Sequence, residues 1–256
     1  MTLSVEPAAV GGVMAREWVM YRRYWTSTTV ASVVEPVMYL LAFGFGFGAL
    51  VSTVGGYDYV EFVGTGVVAT SILFSSAFAG MFSTFVKRTY QHTYDAMLAA
   101  PVDTQDLVTA EALFLALKAG AYGLAPLGVA VAFGLAPSPG MLLVPVIGVL
   151  AGFGWACFGI WISSLVPSIN SFDYIISCLL TPVFLVAGTF FPIDGLPGWA
   201  QAAAQLNPLY HCVELVRHAV FGLEPLADLA HVGVLAAFAG LSWVLAVRAL
   251  RACLVQ

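Results

Sequence analysis

The 256-residue chain is 61% hydrophobic and only 9% charged, with a net charge of −5 and a mean hydropathy of +0.94. That balance excludes a solvated globular domain and describes an integral membrane protein. No basic stripe points to nucleic acid, and the acidic surplus carries little topological information.

The chain reads as a single all-α transmembrane domain over residues 1–256. At its start, residues 8–26 read as a helix of their own. Val10, Met14, Trp18, Tyr21 and Trp25 fall near one face, while Arg16, Arg22 and Arg23 lie elsewhere. This pattern suits an interfacial amphipathic helix, or equally a basic anchor flanking the first span. No continuous apolar h-region precedes Val30, so a cleavable signal peptide is not expected.

Six apolar stretches are long enough to cross a bilayer: 28–50, 61–86, 107–135, 141–166, 173–191 and 228–250. Glu35, immediately before Pro36 in the first, faces a path or caps a local break. Gly44, Gly46 and Gly48 lie inside that span rather than between a strand and a helix, so they form no nucleotide loop. Gly44 with Gly48, and Gly148 with Gly152 in the fourth span, suit close helix packing, against a neighbour within the chain or in a second copy.

The loop from Lys87 to Leu107 contains a short helix between Tyr90 and Ala100. Tyr90, Tyr94, Met97 and Leu98 share one face, Gln91, His92 and Asp95 face away, and Pro101 ends it. The apolar face reads either as a docking surface for a soluble partner or as a face laid against the membrane. Asp103 is placed to cap the third span, with Asp106 in its first turn. Within that span Glu111 and Lys118 stand two turns apart and point the same way, as a proton relay, an ion pair or an anchor of the bundle.

From Leu180 to Gly222 the chain is too broken to cross a membrane and too apolar to be solvated. Pro192, Pro197 and Pro208 divide it, and Asn207 is placed as an N-cap, so two short helices are expected in a re-entrant hairpin over 192–222. The second, from Pro208 to Phe221, would rise about 21 Å, less than the hydrocarbon core of about 30 Å. Broken backbone at that depth needs support from protein or a water-filled cavity. His211, Glu214 and His218 share a face at a spacing that suits zinc, yet Glu214 can instead pair with Arg217 or His218. No metal is expected. The four cysteines show no ligand spacing and need no disulfide, and no hydrolytic constellation is evident, so the chain is not expected to be an enzyme.

Seven of the nine basic residues fall on one side of this layout: Arg16, Arg22, Arg23, Lys87, Arg88, Arg248 and Arg251. The positive-inside rule places both ends in the cytoplasm and the hairpin outside.

Three stretches carry a family resemblance: EPVMYLLAFGFGFG from Glu35 to Gly48, TYDAMLAAPV from Thr93 to Val102, and GTFFPIDGLPGWAQAAAQLNPLYHCVELVRHAVFG from Gly188 to Gly222. In order and spacing the chain resembles the type-2 ABC transporter permeases, in the branch of nodulation lipo-oligosaccharide exporters and daunorubicin-resistance permeases. The resemblance covers nearly the whole chain. It implies a six-span subunit of a bacterial-type cytoplasmic membrane, pairing with a second copy or a similar permease. Two ATPase subunits would bind ATP and Mg, and this chain would hold no cofactor. It also implies a coupling helix carrying Tyr90, Tyr94, Asp95, Met97 and Leu98, and an interface helix carrying Arg16, Trp18, Arg22 and Arg23. The outward hairpin, with Pro192, Pro197, Trp199, Pro208 and Arg217, would cap the path. Candidates for the path lining are Glu35, Phe43, Phe47, Phe74, Phe78 and Phe184, which suit an amphiphilic or lipid-linked cargo such as a drug, lipo-oligosaccharide or glycolipid.

The chain has no GxxxxGK[ST] phosphate loop, in agreement with an ATPase on another chain. Two other classes stay open on the residues alone. An ion-coupled secondary transporter would use Glu111 or Lys118 and often shows inverted repeats, none of which is convincing here. A membrane scaffold would use the hairpin only for assembly.

Overall fold

The computed structural model describes residues 5–48, 50–51 and 53–254. Its first helix, α1, runs unbroken over Pro7–Gly48, so the separate helix expected over 8–26 and the span expected over 28–50 are one rod. No helix breaker stands at that junction. The Ser27 and Thr28 hydroxyls both donate back to the Tyr24 carbonyl at 3.0 Å, satisfying themselves inside the helix. Among its described side chains, α1 buries only Val13, Glu17, Pro36, Leu40 and Gly44.

A two-stranded hairpin, β1 (Thr53–Val54) with β2 (Tyr57–Asp58), turns the chain. Its turn residues Gly55 and Gly56 have φ of 59° and 88°, open to glycine at little cost. Asp58 then caps α2 (Tyr59–Phe78) by accepting from the Val60 N–H. α2 is the centre of the molecule: Val63, Val67, Val68, Ile72 and Leu73 are all sealed from the surface. It continues through two π-helical turns, Ala79–Ser83 and Val86–Tyr90, as one rod over Tyr59–Tyr90.

After α3 (Thr93–Leu98), Asp103 and Asp106 form a reciprocal capping box that starts α4 (Thr104–Tyr122), which passes through Gly123 into α5 (Leu124–Ala132). A 3₁₀ turn over Pro139–Leu143 leads into α6 (Val144–Leu165). Glycines set how closely these rods approach. A Cβ on Gly80 would lie 2.6 Å from the Ala156 carbonyl oxygen, and one on Gly159 would lie 2.5 Å from that of Ala77, so α2 and α6 touch through bare backbone. Gly148 and Gly152 face Gly120, Ala116 and Ala119 of α4, while Gly44 and Gly48 face Val60 of α2. Both small-residue pairs therefore find their neighbours within the chain.

The stretch expected as a fifth span, 173–191, is broken. α7 (Phe172–Ile175), a π turn at Ile176–Leu180 and α8 (Thr181–Leu185) make a short apolar rod, Ile169–Leu185. Pro182 has no N–H for the Cys178 carbonyl, and the chain then leaves the helix and turns at Gly188, φ 76°. Among the described residues, five helices are long and apolar enough to cross a membrane: Pro7–Gly48, Tyr59–Tyr90, Thr104–Ala132, Pro139–Leu165 and Pro225–Leu254. The chain is thus a multi-pass helical membrane protein.

Two short helices follow. α9 (Gly198–Gln205) starts after Pro197, and α10 (Pro208–Phe221) has Pro208 in its first turn and Asn207 as its cap. The Asn207 side chain accepts from the Leu209 N–H and donates to the Val183 carbonyl, fastening the start of α10 to α8. α11 (Pro225–Leu254) returns along α6.

Candidate functional site

Two ends of the bundle carry the polar chemistry, with an aromatic surface between them. At one end meet the starts of α1 and α4 and the ends of α2, α6 and α11. The Glu6 N–H donates to Asp106 at 2.8 Å, Arg251 reaches Asp103 at 2.7 Å, and Arg88 donates to the Ser164 carbonyl at 3.3 Å.

Inside this end lies a chain of buried charges. Lys87 Nζ, at the end of the α2 rod, is 2.9 Å from Glu17 of α1 and 2.8 Å from Glu111 of α4. Arg16 completes the Glu17 side at 2.7 Å. The other Glu111 oxygen accepts from the Tyr94 hydroxyl at 2.6 Å. Tyr94 belongs to α3 and is wholly buried. Burial and the neighbouring Glu111 carboxylate hold its phenol well above the ordinary range, so it stays protonated and donates. One continuous set of ionic and hydrogen-bond contacts therefore joins α1, α2, α3 and α4.

This geometry corrects two expectations. Glu111 and Lys118 are not a pair, because Lys87 and Tyr94 occupy the Glu111 carboxylate. Nor is Tyr94 on a docking face: a ring bonded to a buried carboxylate must point inward. Met97 and Leu98 are half-buried beside it, whereas Tyr90 is 63% exposed and His92 and Asp95, 3.1 Å apart, face outward. His92 has a φ of 50°, and this left-handed residue turns the α2 rod sharply into α3. Glu17 and Lys87 were not legible as members of the site. The one local signal is that each of Glu17, Lys87 and Glu111 lacks an opposite charge three or four residues away.

Along α1, Trp18, Arg22 and Arg23 are exposed and Arg16 is partly covered by Glu17. The six residues expected along a path fall into two adjoining cavities that share Tyr39. One, of about 310 Å³, is lined by Glu35, Phe74, Phe78, Lys118 and the hydroxyl residues Thr70, Ser71 and Ser75. The other, of about 480 Å³, is lined by Phe43, Phe47, Phe184, Phe190 and Pro192. Phe43 and Phe190 have ring centroids 4.3 Å apart, and Phe74 meets Phe184 edge-on at 5.6 Å.

At the opposite end Arg217 is buried. It donates to Glu214 at 2.8 Å and to the Gly188 carbonyl at 2.6 Å, and its guanidinium lies 3.7 Å from the centre of the Phe62 ring. His218 contacts Asp228 at 2.6 Å, and His211 contacts His231 at 2.7 Å and the Gln205 carbonyl at 2.9 Å. Of the residues with zinc-like spacing, His211 and His218 are thus engaged in fastening α10 to α9 and α11, and Glu214 pairs with Arg217. Trp199, in contrast, is 74% exposed on α9.

Comparison with known proteins places these features in a family. Residues 9–221 match the ABC-2 type transporter family. The chain is 30% identical to "Nodulation protein J" of Rhizobium leguminosarum bv. trifolii over 240 residues, covering 93% of this chain and 91% of that one. It is 31% identical to "Nodulation protein J" of Sinorhizobium fredii over 235 residues, covering 92% and 90%. Against the "Inner membrane transport permease YadH" of Escherichia coli identity is 25% over 237 residues, covering 90% of each. The chain belongs to the ABC-2 type transporter membrane family.

Proposed function

We propose that this protein is the membrane permease subunit of an ATP-driven exporter. Two copies, or one copy and a similar permease, would assemble with two ATPase subunits that bind ATP and Mg. The cargo would be an amphiphilic or lipid-linked molecule. Family membership and the permease name of one relative support the transport role, and the absence of a phosphate loop in the sequence fits nucleotide binding on another chain.

The observation that carries the reading is the fastening of α3 to three long helices through Tyr94, Glu111, Lys87 and Glu17. A push on the exposed face of α3 is not absorbed locally, because moving Tyr94 alone would take a hydrogen-bond donor from the buried Glu111, which Lys87 in turn ties to Glu17. ATPase closure against Tyr90, His92 and Asp95 would therefore move α1, α2 and α4 together. The end carrying Arg16, Lys87 and Arg88 would face the cytoplasm by the positive-inside rule, which puts the α9–α10 hairpin outside. Leu206 and Trp199, 84% and 74% exposed, suit a hairpin dipped into the outer leaflet rather than one in water.

The test is to purify the permease with its ATPase in lipid nanodiscs and measure complex stoichiometry and ATP hydrolysis for the native protein and for Tyr90→Ala with Asp95→Ala. A two-plus-two complex weakened by these surface changes supports the reading. Failure of any ATPase to associate overturns it.

A further inference from the structure

Most cations of this bundle that are withdrawn from solvent face a carboxylate: Lys87, Arg16, Arg217 and Arg251 all do. Lys118 is half-buried on α4 and, among the described residues, no carboxylate lies within 4 Å of it. The Tyr122 ring lies 5.8 Å from its ammonium. An ammonium partly withdrawn from water with no anion in contact is costly, so this position suits a negative group from outside the chain.

The surroundings specify what carries that group. Lys118 stands at the mouth of a cavity of about 650 Å³ between α1 and α4, whose walls are Met14, Ala15, Trp18, Leu117 and Ala121. These walls are apolar and suit a hydrocarbon chain. Tyr21 and Tyr122, which line the same cavity, join their hydroxyls with that of Thr29 in a triangle with sides of 3.0 to 3.3 Å. Lys118 also borders two neighbouring cavities lined by Glu35 and by Glu17, both beyond 4 Å of its ammonium, whereas the lining of the α1–α4 cavity itself holds no acidic residue.

Depth points the same way. α1 has 42 residues and is about 63 Å long, twice the hydrocarbon thickness. Counting back the roughly 20 residues that cross the core from Gly48 reaches Thr28, which lines two cavities together with Lys118. Lys118 therefore stands near the end of the crossing part of α1, where Trp18 and Tyr24 line cavities with it and Arg22, Arg23 and Trp25 are exposed. Aromatic and basic residues at that level mark a membrane interface that attracts anionic lipid.

We propose that the α1–α4 groove seats one phosphate-bearing amphiphile of the cytoplasmic leaflet, with its phosphate on Lys118 and its chain in the slot beside Trp18. The leaflet, though not the binding, rests on the orientation given under Proposed function. Such a site is where an anionic amphiphile would first meet the aromatic cavities described above.

Native mass spectrometry of the purified full-length permease tests this, with phosphatidylglycerol as the probe and a glucosyl diacylglycerol of the same chains as the phosphate-free comparison. The native protein retains one phosphatidylglycerol that the glucolipid does not replace. Lys118→Gln weakens retention about tenfold, and Lys118→Arg preserves it. Ala121→Trp, which fills the slot and leaves the charge in place, also weakens it. The proposal is overturned if Lys118→Gln retains phosphatidylglycerol as the native protein does, if the glucolipid is held equally well, or if excess inorganic phosphate displaces the lipid, which would make Lys118 a site for a free ion. No ATPase takes part, so a failed exporter reading would not affect the result. Orientation is read separately, by labelling a cysteine placed at Arg23 with a membrane-impermeant maleimide in intact cells. Labelling from outside would move the site to the other leaflet and overturn that part of the proposal.

Discussion

Lys87 has two carboxylates within 3 Å, and neither has another cation of equal burial to turn to. Replacing it with methionine would keep the stem and leave Glu17 and Glu111 buried without their shared partner. Breaking one member of a buried ionic set costs about 3 to 5 kcal/mol, so Lys87→Met should sharply lower the thermal midpoint in detergent. Adding Glu111→Gln should restore part of that loss, since the amide no longer needs a cation and still accepts from Tyr94. A second residue-scale expectation concerns His92, the one described non-glycine residue with positive φ. Left-handed backbone costs an L side chain about 1 to 2 kcal/mol. His92→Gly should therefore be tolerated or stabilising, whereas His92→Val should be destabilising by about that amount in the same melting assay.

Elements differed in how far the sequence disclosed them, and the division follows locality. The cap at Asn207, the start of α10 at Pro208 and the Asp103–Asp106 box all depend on residues within one turn, and each was readable as spelled. The continuity of α1 was not, because a change from amphipathic to apolar composition is not a helix breaker, and nothing between Val13 and Glu35 interrupts the ladder. Likewise the helical face of Tyr94 could be assigned, but not its direction. Which way that face points was decided by Glu111, seventeen residues away and on another helix. Asn207 shows what a local signal can also conceal, since its side chain both caps α10 and donates to Val183 of α8 at 2.7 Å. Asn207→Ala should cost more than an ordinary cap, about 2 kcal/mol rather than 1. Limited proteolysis should show earlier cleavage around 206–208 while the rest of the bundle stays protected.

For the whole molecule, the polar groups divide the labour between the two ends. The hairpin end is locked by Arg217, His218 and His211 to neighbouring elements, so it is built to hold shape. The opposite end couples four helices through shared charges, Lys87 between Glu17 and Glu111 and Glu111 between Lys87 and Tyr94, so a displacement of one would be carried to the others. This distinction separates docking from transmission, which ordinary loss-of-function substitutions confuse. On the proposed reading, the exposed Tyr90 and Asp95 would affect how a partner docks, whereas Tyr94, wholly buried, would affect what docking transmits. Tyr94→Phe removes one hydroxyl from Glu111 while keeping the buried ring, a change of about 1 to 3 kcal/mol in how firmly α3 is held. In the reconstituted complex this variant should bind the ATPase with native stoichiometry and hydrolyse ATP at its basal rate. Cargo-dependent stimulation of hydrolysis should fall several-fold, because the push on α3 is no longer carried into α4. Equal loss of ATPase binding in Tyr94→Phe and in Tyr90→Ala with Asp95→Ala would mean that α3 acts only as a docking surface and that the buried charges serve stability alone.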